Sequence, residues 1–486
     1  MIRLIEFGTT LMDQDDKGSQ ARFVAYVESL RVVIGHADRA LPLRDYCTGL
    51  LLPGERKSVE PMAAMMAPSR VSAEHQSLLH FVGQAPWSDE AVLGKVRELV
   101  MPAIVSHGPI EAWIIDDTGF AKKGVHSVGV ARQYCGRLGK TDNCQVAVTL
   151  SVANHAASLP IAYRLYLPED WASDAARRKK AHVPEPVRFQ SKPEIALDQL
   201  HAALAAGVPR GIVLADPAYG YKAEFRAGLT AAGLVYAVGV QSNVSVWPPG
   251  IEPLPAKEWS GRGRHPSRLR RDKDHRPVSA KQLAIGLPAN AWTSVIWREG
   301  SNAPLTSRFA AVRVRPASHD WNRSTPHPFE WLLIEWPEGE AEPAKYWLST
   351  LPEDTPLATL VDTVKLRWHI ERDYEELKSE LGLAHYEGRG WIGFHHHATL
   401  CIAAYGFLIR ERAAIPPSAA GYRKTSRLSD RPRPRGSPDP SGTSRRKLHR
   451  HNQAQACRHS RQNTHTMSLL PVLSLDHAIS QTLMTQ

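Results

Sequence analysis

Between residues 112 and 240 the hydrophobic pattern changes period in an order that few folds accept. Residues 112–117, 143–152 and 159–165 are apolar, β-favouring runs separated by Gly-rich turns, which predicts an antiparallel meander. A helix follows, opened by the capping-box pattern Ser191-Lys192-Pro193-Glu194, continued by Ile195, Leu197, Leu200 and Leu204, and stopped by Gly207. A strand at 211–215 runs into Asp216, and a helix at 223–232 and a strand at 234–240 complete a β-α-β unit. A meander joined to a parallel crossover predicts an α/β (α+β mixed) sheet covered by helices. Both Asp116-Asp117 and Asp216 then stand at the ends of apolar strands, where carboxylates from neighbouring strands converge.

The flanks read differently. Residues 1–105 are mostly helical in pattern and predict a separate helical, DNA-binding domain, with Arg44, Arg56, Lys57, Arg70, His75 and Gln76 either facing phosphates or simply solvated. Residues 106–240 are the first part of the core. Residues 241–350 form an insertion too long and too β-rich for a loop, with strands expected at 293–298, 309–314, 331–336 and 345–348. Residues 351–415 return to helix, with Thr355-Pro356 as an expected N-cap and first-turn pair, and 416–486 is a basic tail expected to be mostly disordered.

The formal charge of +11 is unevenly placed: residues 415–486 carry +9, leaving +2 for the rest. Any DNA-binding surface in the body must therefore come from local clusters, such as Arg177-Arg178-Lys179-Lys180 and the seven Lys and Arg between Arg262 and Arg276. The five scattered cysteines include no CxxC pair, which argues against a disulfide framework or thiolate zinc site. No apolar run of membrane-spanning length and no signal segment after Met1 are evident, so a cytoplasmic, nucleoid-associated protein without membrane contact is expected.

On a helix, Arg367, Glu371, Tyr374 and Lys378 share one face, with Ile370, Leu377 and Leu381 in the neighbouring apolar stripe. One carboxylate is thereby set between two cations, as in an ordinary surface ion-pair ladder or a ligand working beside phosphate. With the two strand-end aspartates, Glu371 would complete an all-oxygen set suited to Mg²⁺ or Mn²⁺. Asp216 could equally be a turn residue before Pro217, and Asp116-Asp117 a strand-to-turn pair.

These segments, in this order, resemble bacterial insertion-sequence DDE transposases of the insertion-sequence four superfamily. The group has a Tyr-x2-Arg-x3-Glu-x6-Lys third motif, and its seven-oh-one branch is the nearest in pattern. The resemblance spans roughly residues 20–412 and rests on Ile114-Ile115-Asp116-Asp117-Thr118-Gly119, on 129–136 (GVARQYCG), on Leu214-Ala215-Asp216-Pro217-Ala218-Tyr219-Gly220, and on the Arg367–Lys378 helix. It implies a ribonuclease-H-like core with Asp117, Asp216 and Glu371 as catalytic metal ligands, two Mg²⁺ or Mn²⁺ ions, and Arg367 and Lys378 on phosphate. Asp116 rivals Asp117, because strand alternation lets only one face the site; Thr118 directly after Asp117 favours the latter. Val364 occupies the motif's tyrosine position, a departure for which Tyr374 or His369 could compensate.

The resemblance further implies double-stranded DNA as substrate, both terminal inverted repeats and target, with cleavage and strand transfer carried out by a homodimer at synapsis. Two other readings use the same residues: a non-catalytic DNA-binding repressor derived from such an enzyme, and a metal-dependent nuclease without strand transfer. Lys122, Lys123 and Arg132 follow the first aspartate and either cradle the DNA or line a solvated hairpin. His395-His396-His397 cannot all ligate one ion from consecutive helical positions and reads as helix-border or core polar groups. Among Trp297, Trp331, Trp336 and Trp347, at most one is expected to stack on an unpaired base.

Overall fold

The computed structural model describes residues 18–136, 138–298 and 305–414, which belong to a unit bounded at Met1–Ala413 apart from its last residue. The start of the chain and the tail at 416–486 lie outside the described residues. The helical opening comprises α1 (18–31), α2 (Ala40–Leu51), α3 (Val59–Met66), α4 (Val71–Gly83) and α5 (Asp89–Val105). Ser88 caps α5 by accepting a hydrogen bond from the Ala91 amide.

The meander forms as expected, except that its first strand runs on to Ala121, so Asp116 and Asp117 lie in mid-strand and not at its end. Strand β1 (Ala112–Ala121) pairs antiparallel with β3 (Lys140–Ala153), which pairs with β4 (Ser158–Leu165), while the short β2 (Ala131–Cys135) lies along the start of β3. After two short helices, α6 (Glu169–Ser173) and α7 (Ala175–Lys180), comes α8 (Lys192–Ala205) with its capping box intact. Then follow β5 (Ile212–Ala215), the single turn α9 (Pro217–Gly220), α10 (Ala223–Ala231) and β6 (Tyr236–Val240). Because β5 is parallel to both β1 and β6, the order β4-β3-β1-β5-β6 is the mixed sheet of a ribonuclease-H-like core.

The segment from 241 to 350 holds β7 (Ser245–Trp247), β8 (Val278–Ser279), α11 (Ala280–Ile285), β9 (Thr293–Arg298), β10 (Leu305–Pro316), β11 (Glu330–Trp336) and β12 (Lys345–Ser349). It continues the core sheet, since β12 pairs with β6 from Tyr346↔Val240 to Ser349↔Ala237. The chain then returns through α12 (Leu357–Lys365) and α13 (Trp368–Glu375), a π turn at Glu376–Glu380, and α14 (Trp391–Ala414). Pro356 is itself the N-cap of α12, one place later than the Thr355-Pro356 expectation.

By length and composition α14 is apolar enough to cross a membrane, which corrects the expectation that no segment is, yet 89% of its apolar window is buried within the protein. It is the spindle around which the helical opening packs: the Tyr26 hydroxyl donates to the Ala403 carbonyl (2.8 Å), and Arg22 pairs with Glu411 (2.6 Å). At Gly406 an added Cβ would lie 2.9 Å from Val100 Cγ2 and 3.1 Å from the Tyr26 hydroxyl, so only glycine permits this approach. The opening helices are thus fastened to the core, sharing one cluster of buried residues with β1, β3 and α14.

Candidate active site

Strand alternation splits the paired aspartates. Ile114, one step before Asp116 on the same face, packs with Leu360, Val361, Val364 and Ile370 of α12 and α13, whereas Ile115, on the face of Asp117, packs with Ile195 and Leu200 of α8. Each carboxylate meets its own cation: Arg367 Nη1 donates to Asp116 Oδ2 at 3.0 Å, and Lys192 Nζ donates to Asp117 Oδ2 at 2.8 Å.

Asp216 follows Ala215, whose register partner across parallel β1 and β5 is Ile115, so Asp216 emerges beside Asp116. Its Oδ1 accepts from the amides of Ala218 (2.9 Å) and Tyr219 (3.4 Å), turning the chain into α9. That turn fits against β6 because the residues where they meet are glycines: a Cβ on Gly239 would sit 2.9 Å from Pro217 Cδ, and one on Gly220 would overlap the Gly239 carbonyl.

The electrostatics tie three carboxylates to one guanidinium. Burial opposes the charge of Arg367, but Asp116, Asp216 and Glu371, in that order, raise its pKa. Burial likewise pushes the Asp116 carboxyl up to about 7, with Arg367 countering and the charges of Asp216 and Asp117 adding. Asp216 is raised mainly by burial, against Arg367, with Asp117 contributing. Glu371 is exposed one helical turn beyond Arg367.

The stripe on α13 is used differently from its helical pattern. Its cations turn to β1, Arg367 to Asp116 and Lys378 to the Gly119 carbonyl (3.1 Å), instead of bracketing Glu371 in a surface ladder. Tyr374 is partly buried and its hydroxyl lies 2.6 Å from Thr149 Oγ1, on the strand position opposite Asp116. Val364 is buried in the apolar cluster and His369 is buried against Trp368, so neither presents a group at the surface.

Among the other candidates, Lys122 is partly buried and donates to the Tyr386 carbonyl (2.8 Å), while Lys123 and Arg132 are exposed. Lys57 is not a phosphate ligand in waiting: its buried ammonium caps the C-terminal carbonyls Leu50 (2.5 Å) and Leu52 (2.6 Å) of α2, and burial lowers its pKa to about 8. In the cluster at 177–180, Arg177 stacks on Trp171 and Arg178 donates to backbone carbonyls. His395, His396 and His397 all serve the core, bonding to Trp391 and Leu165, to Val82 and Trp87, and to Tyr46 and Gly382 respectively. The four tryptophans singled out from sequence are all partly buried; the most exposed are Trp259 (50%) and Trp321 (51%).

Sequence reasoning missed Lys192 and Tyr219. Lys192 was legible only as the first residue of a capped helix, and Tyr219 only as part of the turn after Asp216. Among the described residues no three His, Cys, Asp or Glu side chains already converge tightly enough to hold a metal ion. The donors are nevertheless all hard oxygens, and the crowding felt by Asp116 and Asp216 is of the kind a divalent cation relieves.

A probable transposase for insertion sequence element IS701 from Microchaete diplosiphon is 33% identical over 169 residues, which is 35% of this chain and 41% of that protein's length. Residues 29–304, more than half of the chain, match the DDE superfamily endonuclease family. That span takes in α2 to α5 of the helical opening, Asp116, Asp117 and Asp216, and the start of the insertion, and the chain belongs to the DDE superfamily endonucleases.

Proposed function

We propose that the protein is a DNA transposase that cuts and joins the ends of an insertion sequence, with Asp116, Asp216 and Glu371 as its metal-binding and catalytic carboxylates. The observation that carries this reading is the set of carboxylates answering Arg367: Asp116, Asp216 and Glu371 all act on its guanidinium. This moves the first ligand from Asp117, the position favoured by Thr118, to its neighbour, because Asp117 faces α8 and is bonded to Lys192.

A divalent ion, Mg²⁺ or Mn²⁺, supplies an activated water or DNA 3′-hydroxyl and stabilises the leaving oxygen when bound. The protein's own groups do the rest. Asp216, fixed by two amides just past the end of β5, and Asp116, fixed by Arg367 midway along β1, hold their oxygens on adjacent strands, while Glu371 approaches from the exposed side of α13. Arg367 keeps the acids from repelling one another before an ion arrives, and with Lys378, Lys123 and Arg132 supplies positive charge along the path of a phosphate backbone. The substrates are the inverted-repeat ends and a target duplex in the cytoplasm, and synapsis of two ends calls for a homodimer on DNA.

The test is a cleavage and strand-transfer assay on end-containing duplexes with Mg²⁺ or Mn²⁺, scoring cut and joined products separately. Wild type is expected to give both. Asp216→Ala and Glu371→Gln are expected to bind the ends without cutting, and substantial cleavage by either sinks the assignment. Cut ends with no joined product would reduce the enzyme to a nuclease.

A further inference from the structure

We propose that the Lys192–Asp117 pair is a positioning device that sets the cation affinity of the neighbouring carboxylates, with Lys192 as the tethered countercharge. This rests on the reading of Asp116, Asp216 and Glu371 as the ligand set.

Lys192 is the first residue of α8, and that helix start is locked: the Ser191 amide donates to Glu194 Oε2 at 2.7 Å. The helix is moored to the sheet by Gln199 Nε2 donating to the Val148 carbonyl at 3.0 Å, the residue opposite Asp117 in the β1–β3 register. The Lys192 ammonium, 2.8 Å from Asp117 and 5.8 Å from the centre of the Tyr166 ring, is therefore delivered to one place.

On the other flank stands Tyr219, 1% exposed, whose hydroxyl has no hydrogen-bond partner among the described residues and whose strongest charged neighbour is Asp117. A buried phenol there closes one side of a pair whose side chains are otherwise about 30% open to water, so the two charges are only partly screened from their surroundings. The charge of Asp117 reaches Asp216, the central member of the ligand set. Lys192 offsets that charge: without it, an extra uncompensated carboxylate would draw cations to the site, and without Asp117 a bare ammonium would repel them.

The experiment measures Mn²⁺ affinity of the full chain by electron paramagnetic resonance or calorimetry, with melting curves to verify folding, and needs no DNA or turnover. Lys192→Met is expected to bind Mn²⁺ about tenfold tighter and Asp117→Asn about tenfold weaker. The double variant is expected to return to within about twofold of wild type, and Lys192→Arg to match wild type, because charge and not packing is the cause. Unchanged affinity in Lys192→Met, with Asp116→Asn losing the ion, overturns the inference and leaves the ligand set standing. Loss of Mn²⁺ in both Asp117→Asn and the double variant, with Asp116→Asn still binding, overturns the ligand set itself. Tighter binding in Lys192→Gln as well as Lys192→Met would support the charge account should either variant fold poorly.

Discussion

Strands β1 and β10 belong to one sheet, separated by β5, β6, β12 and β11, yet their surroundings use opposite chemistry. Midway along β1 acids are half-buried and answered one by one, Asp116 by Arg367 and Asp117 by Lys192. Around β10 cations lie on aromatic rings: Arg308 over Trp336 (4.8 Å), Arg313 over Trp331 (5.1 Å) and Arg315 over Phe329 (3.8 Å). Half-buried carboxylates cost desolvation and must be placed accurately, whereas the exposed Arg308 on its aromatic face keeps much of its hydration and stays available to a polyanion, and Arg315 is already held by Glu252 (3.1 Å). On the function proposed above, the difference separates a half that would do the chemistry from a half that would grip DNA. Lys365, on α12, joins them: it pairs with Glu335 of β11 at 2.7 Å, two residues before Arg367.

The largest expected effect lies wholly on the β1 side. Asp116→Asn should lower the cleavage rate on saturating DNA by on the order of 10³-fold, while Asp117→Asn lowers it by only about tenfold. Single-turnover rates of the two variants measure this directly. Equal losses would erase the distinction between the faces of β1, and a loss confined to Asp117→Asn would reverse it.

The next effect concerns what holds the catalytic half in place. Burial lowers the pKa of His397 from its ordinary 6.5 to about 4, with the ring between the Tyr46 hydroxyl (2.8 Å) and the Gly382 carbonyl (3.0 Å). A depressed histidine pKa means that the unfolded chain takes up the proton first. Its stabilisation is therefore complete above about pH 6.5 and is lost as pH falls toward 4, by about 3 kcal/mol over the window. Denaturant midpoints of wild type should fall across that range, and those of His397→Gln should fall less. Parallel curves would mean that His397 is not the acid-sensitive group of α14, which leaves its buried neighbours His395 and His396.

Much of this was legible because local signals agreed. The meander, the capping box at Ser191 and the strands of the insertion follow period and propensity, and they appear nearly where expected. What escaped were interactions between residues distant in sequence. Nothing near Lys192 in sequence points to Asp117, 75 positions away, and the choice between Asp116 and Asp117 depends on which face α12 and α13 cover. The α13 stripe was legible in part for the same reason: its spacing sets Glu371 between Arg367 and Lys378, but gives no sign that β1 offers both cations partners. Lys57 was read by charge alone, when its worth lies in two helix-end carbonyls.

The smaller effects test the gripping half. Arg262, Arg264 and Arg268 are exposed in the loop before β8, and replacing all three by alanine should weaken duplex binding by about tenfold at moderate salt. The slope of log K against log salt should flatten by roughly 0.9 for each phosphate that is no longer neutralised, with cleavage at saturating DNA unchanged. Trp321 is the finer probe. Its ring is half exposed, 5.9 Å from the Arg271 guanidinium, which is itself bonded to Asp320 one residue earlier. A ring presented beside a fixed cation suits an unpaired base better than a paired one, because only the unpaired base offers its face. Trp321→Ala should therefore reduce binding of single-stranded DNA by about tenfold, a base stack of roughly 1–3 kcal/mol, and leave fully paired duplex affinity and its salt slope unaltered. Equal losses for both substrates would make Trp321 a support for Arg271, and the grip of this half would then be one of charge alone.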